Sequence, residues 1–441
     1  MRLNFQIVLT WIYLGVAATL AIAQSNVPSN APLKNAEALF PGVPFERWLA
    51  EGSRSPIRWT AQVTAPVLSN YQRLQGRVEI QLDGDELVKR RGHGQLVVLI
   101  GLVDHDKHVY RTHHVIDLQN VEDTASKSNI NIIQPFFVVP GDYQVLIGVF
   151  DSSNAEHGVM QRALHVPTLR SDPLPDAWKD LPPVEISADP PGELFLPSLM
   201  GRLHLPLSNP RPVRMELLVN TSRSTAGVGP NAGQMTASTM GEVIPAMKVI
   251  SQIEIREGTL DISLLDLAKH KVIFEEETRK LDWPTLRDAL READPNIIDV
   301  HSLENRKQDA QFFVSQMSRR IESAPADAAA HVFIVLSGPM SFASGADLRP
   351  IQAADAPNTR IYYFRYHAPP VRLTPTEAFE RSTRGRRGRN DPLGVPLVQQ
   401  NESVDSLANT LKPLHPRLFD IYSPEQFRKA LSVVMDEVSR L

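Results

Sequence analysis

The chain has 441 residues and a formal net charge of −4, with 46 basic residues against 50 acidic ones. That length predicts two or three domains, and the balance leaves no global field directing the chain to nucleic acid or an acidic membrane. Cysteine is absent, which excludes disulfides, thiolate metal sites, a cysteine nucleophile and the lipid-bearing cysteine of a bacterial lipoprotein.

Residues 1–23 read as an export signal. Arg2 gives the positive start, residues 7–22 are mostly apolar, and Ala21-Ile22-Ala23 before Gln24 fits the small-x-small cleavage rule. Cleavage is favoured over retention as an anchor. No later stretch is long and apolar enough to span a bilayer, so the mature chain is expected in the periplasm or outside the cell. Held without disulfides, it must rely on its cores. Residues 24–50 carry Ser, Asn and Pro in quantity and read as a flexible segment.

Residues 51–168 read as a β-sandwich. Trp59, Ala61 and Val63 alternate with polar partners, as do Val78 and Ile80 before a turn at Asp83-Gly84-Asp85. Residues 96–103 are an apolar run, 110–118 alternate again, and 130–139 lead into Pro140-Gly141-Asp142. Tyr143, Val145, Ile147 and Val149 then alternate cleanly. Such spacing predicts roughly seven strands, and Pro140-Gly141-Asp142-Tyr143 resembles the turn before a late strand of immunoglobulin-like domains. Histidines crowd this half (His93, His105, His108, His113, His114, His157, His165) but fit no established metal signature. They are expected to be solvated on exposed strand faces.

A Pro-rich linker with a short β-element occupies 169–209. Beyond it, Met215 to Val219 is a nearly unbroken apolar run that reads as a strand buried on both faces. It ends in a hydroxyl-rich loop of Asn220, Thr221, Ser222, Ser224 and Thr225, and helical periodicity resumes at Met235, Met240, Val243, Ile244 and Met247. A strand, a polar loop and a helix place that loop at the carboxyl edge of a parallel sheet, where open α/β sheets bind ligands. Strands follow at 259–267, 271–276, 331–336, 359–366 and 418–422, and helices at 283–293 and 305–321. Ser423 caps a last helix whose apolar face is Phe427, Leu431, Val434, Met435 and Val438, with Gln426 completing a capping box. The predicted fold class is therefore multidomain: an all-β, immunoglobulin-like sandwich, then a doubly wound, Rossmann-like α/β domain over 210–441. An Arg/Pro-rich insertion interrupts the latter at 368–409.

This order of elements, with Asn220-Thr221-Ser222-Arg223-Ser224 closing the first strand, resembles the von Willebrand factor type A (vWA) domain of exported bacterial proteins. In that family Asp-x-Ser-x-Ser, a Thr from a second loop and an Asp from a third form a metal-ion-dependent adhesion site. Here Asn220 replaces the first aspartate and Ser337, in Leu336-Ser337-Gly338, replaces the last. The second loop, within 293–305, offers Ser302 and no Thr. The resemblance thus implies a degenerate, formally neutral site with no cofactor, or at most weakly held Mg²⁺, because Mg²⁺ demands carboxylate oxygen.

Other chemistry finds little support. Arg381, Arg384, Arg386, Arg387 and Arg389 form a basic run without interleaved aromatics to stack bases, so an acidic surface suits it better than nucleic acid. No Gly-x-Ser-x-Gly elbow, Walker loop or His-Glu-x-x-His helix occurs. The expectation is a non-enzymatic interaction module that binds a protein partner through Asn220, Ser222, Arg223, Ser224 and Ser337. Two alternatives stand beside it. One is a hydrolase with an interdomain site drawing on Asp347, His331 or His367; the other is a structural envelope protein using the vWA-like part as a scaffold.

Overall fold

A computed structural model describes residues 44–52, 57–92, 94–154, 156–189, 195–196, 198–222, 232–292, 308–323, 329–340, 342, 351, 359–367 and 405–441. The chain is multidomain and β-rich, with several sheets. It divides into two units, Met1–Pro66, Gly76–Thr168 and Pro183–Ile186 in the first, and Val67–Gln75, Leu169–Pro182 and Ser187–Leu441 in the second. Among the described residues no helix is long and apolar enough to cross a membrane.

The alternation read along the first half becomes two antiparallel sheets. One contains β1 (Trp59–Val63), β2 (Val67–Leu68), β3 (Leu74–Leu82), β6 (Ile130–Val138) and β9 (Val184–Ile186). The other runs β5 (Val109–Asp117), β4 (Gln95–Val103), β7 (Gly141–Asp151), β8 (His157–Val166). Alternate residues are buried on β3 (Val78, Ile80) and β7 (Tyr143, Val145, Ile147, Val149), as a sheet covered on one face requires, whereas β4 is buried from Leu96 to Leu102. The expected seven strands become five and four because β2 and β9 have only two and three residues, too short to show a period.

Three local features depart from the sequence reading. Helix α1 (Phe45–Glu51) lies in the segment expected to be flexible, and its Trp48 packs on Val97 and Leu99 of β4. His157 is not solvated but buried, stacked on Trp48 with ring centroids 4.3 Å apart. The turn at Asp83 opens helix α2 (Gly84–Lys89), because the Asp83 carboxylate accepts from Asp85 N (2.9 Å) and Glu86 N (3.4 Å) and caps its free N–H groups.

The second unit is built on a six-stranded sheet in the order β14 (Lys271–Glu277), β13 (Gly258–Asp266), β11 (Val213–Asn220), β15 (Ala330–Ser337), β16 (Thr359–Tyr366), β17 (Arg417–Ile421). All neighbours are parallel except β13 and β14. Helices α3 (Ala232–Ile250) and α7 (Pro424–Val438) bury Val243, Met247, Leu431 and Val434 in one core with Leu217 and Ile334. Helices α5 (Asp309–Glu322) and α6 (Ser406–Leu411) bury Phe313, Met317 and Leu407 in a second core with Leu218 and Val335. Leu217 and Leu218 feeding different cores explains why the run is nearly unbroken: with helices on both faces, Glu216 is the one polar residue within it, and Arg320 of α5 donates to its carboxylate at 3.0 Å. Helix α4 (Trp283–Glu292) follows β14, and β10 (Leu205–Leu207) pairs in parallel with β12 (Ile253–Ile255).

Ser423 caps α7 as expected, its Oγ accepting from Gln426 N at 3.4 Å. Gln426 reaches back one residue further than a capping box requires, accepting from Tyr422 N at 2.6 Å. Behind α7, Arg428 is buried against the Pro-rich segment, donating to both carboxylate oxygens of Asp172 (2.6 and 2.8 Å) and to Leu174 O (2.7 Å). Its guanidinium lies 4.8 Å from the Trp178 ring centroid.

Candidate functional site

The carboxyl ends of β11, β13 and β15 bring three of the predicted residues together or into one bonded chain. Asn220 is the last residue of β11 and Ser337 the last of β15, neighbours in parallel strands. Asn220 Nδ2 donates to Ser337 Oγ at 2.8 Å, and Ser337 Oγ donates to Gly338 O at 2.7 Å. Asn220 Oδ1 accepts from Ser222 N at 3.0 Å, an Asx turn that folds the chain back as it leaves the strand. Asn220 and Ser337 are both buried, Ser337 completely. Arg223, Ser224 and Ser302 lie outside the described residues, as do Asp347 and the arginine run.

Ser222 reaches a residue that the sequence reading missed. Its Oγ donates to Asp266 Oδ1 at 2.9 Å and accepts from Ala268 N at 3.0 Å. Asp266 closes β13 and also accepts from Lys269 N (3.1 Å), with Lys269 Nζ 3.5 Å away. The sequence carried a usable signal, since 264–266 is an apolar strand end followed by a carboxylate, as 218–220 is followed by an amide.

These bonds test the implied metal site against its donor set. Asn220 presents an N–H donor toward Ser337, where a metal site needs an acceptor, and the Asp266 charge is met by Lys269. Among the described residues no group of three or more His, Asp or Glu is arranged to hold a metal ion. Among the described residues, Asn220 and Ser337 spend their side chains on each other and supply no carboxylate, which Mg²⁺ favours before it gives up its hydration. Calorimetric titration of the purified chain with Mg²⁺, Mn²⁺ and Ca²⁺ is accordingly expected to register no micromolar binding, and a micromolar isotherm would contradict this donor assignment.

The same edge continues across β16 and β17. Tyr363 OH donates to Gly338 O at 3.2 Å, and burial, then the nearby Asp405 charge, raise its pKa well above the usual tyrosine value. Asp405 caps α6 through Leu407 N and Ala408 N and lies 3.4 Å from Arg365 Nη1. Arg365 Nε and His367 Nε2 both meet Asp420 Oδ1 at 2.6 Å, and the His367 ring stacks on Tyr422 at 4.3 Å. Burial alone would raise the Asp420 pKa, but the bonds from Arg365 and His367 hold it below the ordinary carboxylate value. Arg365 is held charged chiefly by its bond to Asp420.

His331 sits at the opposite end of β15, in register with Arg214 and Thr359. At about 3.3 Å per residue it is about 20 Å along the strand from Ser337. His331 and His367 therefore do not converge on one catalytic centre.

On α3, Glu242 is mostly buried and one of its carboxylate oxygens has no hydrogen-bond partner among the described residues. Burial pushes its pKa up to about 7. Tyr366, the last residue of β16, is buried with its hydroxyl likewise unpartnered. Burial, and then the Glu242 charge, raise its pKa well above the usual tyrosine value.

No protein-family model matches the chain, and no curated protein matches it. Among solved structures it is similar to the Bordetella pertussis protein assigned as ApaA, at 13% identity over 26% of this chain and 98% of that one, with a TM-score of 0.17. It is also similar to a glycosyl hydrolase family 2 member from Bacteroides cellulosilyticus, at 8% identity over 73% of this chain, with a TM-score of 0.20. The chain spans only 36% of that hydrolase's length. Likenesses at these TM-scores carry no argument about fold or activity.

Proposed function

We propose that this chain is an exported, non-enzymatic protein-interaction module. In this reading an immunoglobulin-like sandwich precedes a doubly wound, vWA-like domain whose metal-ion-dependent adhesion site has become a neutral platform. The bond from Asn220 Nδ2 to Ser337 Oγ carries the reading. At the two positions where the vWA family places aspartates, this chain has an amide and a hydroxyl, and each satisfies the other. The element order lends support: a doubly buried strand, the hydroxyl loop, a helix, an antiparallel strand pair, further helices and parallel strands.

The partner docks on the loops after Asn220 and Ser337. Without a bridging cation, a partner carboxylate needs a fixed positive group, and Arg223 is the nearest in sequence to the platform; a guanidinium grips a carboxylate with two parallel bonds. Crosslinking followed by affinity capture from native envelopes tests this. The double substitution Ser222→Ala/Arg223→Ala is expected to lose the captured partner while its melting temperature stays within a few degrees of the parent's. Undiminished recovery of every partner would assign binding to another surface.

A further inference from the structure

A cleft of about 410 Å³ opens at the amino end of β13, away from Asn220. Gly258 begins β13, whereas Asn220 pairs with Leu265 near its other end. Seven residues of strand, about 23 Å, separate the two places. Ile253 and Leu260, both buried, and the half-buried Ile255 give the cleft apolar walls, with Ser251 beside them. Its shape depends on Gly258, which has φ +139° and packs so closely on β11 that a Cβ would lie 1.8 Å from Val213 O.

The rim is charged. Arg202, Arg279 and Glu254 all line the cleft and all are exposed. Arg279 Nη2 donates to Gly258 O at 3.2 Å, which steadies the guanidinium at the mouth and leaves its remaining N–H groups available. Arg202 makes no hydrogen bond or ion pair among the described residues. Two guanidiniums and one carboxylate leave a single positive charge over a cleft of mixed lining, in which Ile253, Ile255 and Leu260 are the apolar part.

We propose that this cleft binds a small organic monocarboxylate, with the carboxylate between Arg202 and Arg279 and the apolar body on Ile253, Ile255 and Leu260. The volume falls within the range of small-molecule sites, which combine apolar walls with a few polar anchors. Guanidinium forks match carboxylate geometry, and Glu254 selects a monoanion by repelling a second negative charge. The vWA-like reading has no use for this end of the sheet, so the two ideas stand or fall separately.

Methyl-resolved NMR titration of the full chain with hexanoate, hexanol and inorganic phosphate tests the assignment. Hexanoate is expected to shift the Ile253, Ile255 and Leu260 methyls saturably. Hexanol should shift them at least about tenfold more weakly, for want of the charge-assisted bonds, and phosphate should not displace hexanoate. Arg202→Gln/Arg279→Gln is expected to weaken hexanoate binding at least about tenfold, and Glu254→Gln to admit phosphate. Equal responses to hexanoate and hexanol, or displacement by equimolar phosphate, would overturn the proposal. Those two comparisons use the unaltered chain, so they decide the matter even if the double variant fails to fold.

Discussion

Replacing Arg428 with Met is expected to destabilise the second unit by ~3–5 kcal/mol, the usual cost of removing one partner from a buried ion pair. The side chain is 2% exposed and that of Asp172 11% exposed. The substitution leaves a carboxylate shielded from water with nothing to balance it, and also removes the bond to Leu174 O. Burial by itself would raise the Asp172 pKa, but the Arg428 bonds and charge bring it below the ordinary value. A carboxylate depressed in the folded state adds stability above its unfolded pKa of about 3.9 and loses it as pH falls through the folded value. Urea melts should therefore show the largest gap between parent and Arg428→Met at pH 7, narrowing below pH 3. Adding Asp172→Asn to the variant should restore part of the loss. An equal gap at both pH values would mean that lost packing on Trp178, not the charge pair, dominates.

Glu242 gives the opposite sign. Its pKa is pushed up to about 7 by burial, against about 4.3 in the unfolded chain. Between those values the folded state holds the proton more tightly, so stability is greatest below pH 4 and declines until the pH passes about 7. The full shift would correspond to about 4 kcal/mol, but the side chain keeps some contact with water, and screening reduces this to ~1–2 kcal/mol. Glu242→Gln is expected to gain about that much stability at pH 8, none at pH 4, and to flatten the curve between. An unchanged slope would show that the carboxylate finds a partner in solution.

These two residues mark where the sequence stops being legible. Strands β11, β15 and β16 stand out because each carries a run of apolar and aromatic residues between helical layers, at 217–219, 332–336 and 361–364, and the predicted bounds of β16 match the strand to the residue. Ser423 was readable as a cap because capping is settled within four residues. Arg428 and Glu242 were not, since each sits on a helix where a charged residue ordinarily faces water, and only tertiary packing encloses it. At the candidate site, Asn220, Ser222 and Ser337 were named because they end apolar runs or follow one closely. Asp266, Asp405 and Asp420 are different. Asp266 had the same local signal, but Asp405 and Asp420 acquire their roles through Arg365, 40 and 55 residues away. Helix α2 gives a turn signal and no helical period in the sequence, because six residues are too few to show one.

The carboxyl edge of the large sheet has a mechanical consequence. From Lys269 through Asp266, Ser222, Asn220, Ser337 and Gly338 O to Tyr363, and again from Asp405 through Arg365 and Asp420 to His367, bonds lace together the ends of five adjacent strands. The spacing of those strand ends is therefore set beneath the connecting loops and not by them. Loops mounted on such a fixed hem can change in length and sequence at little cost to the sheet, so one framework can be refitted for different partners by replacing only what rises above the lacing.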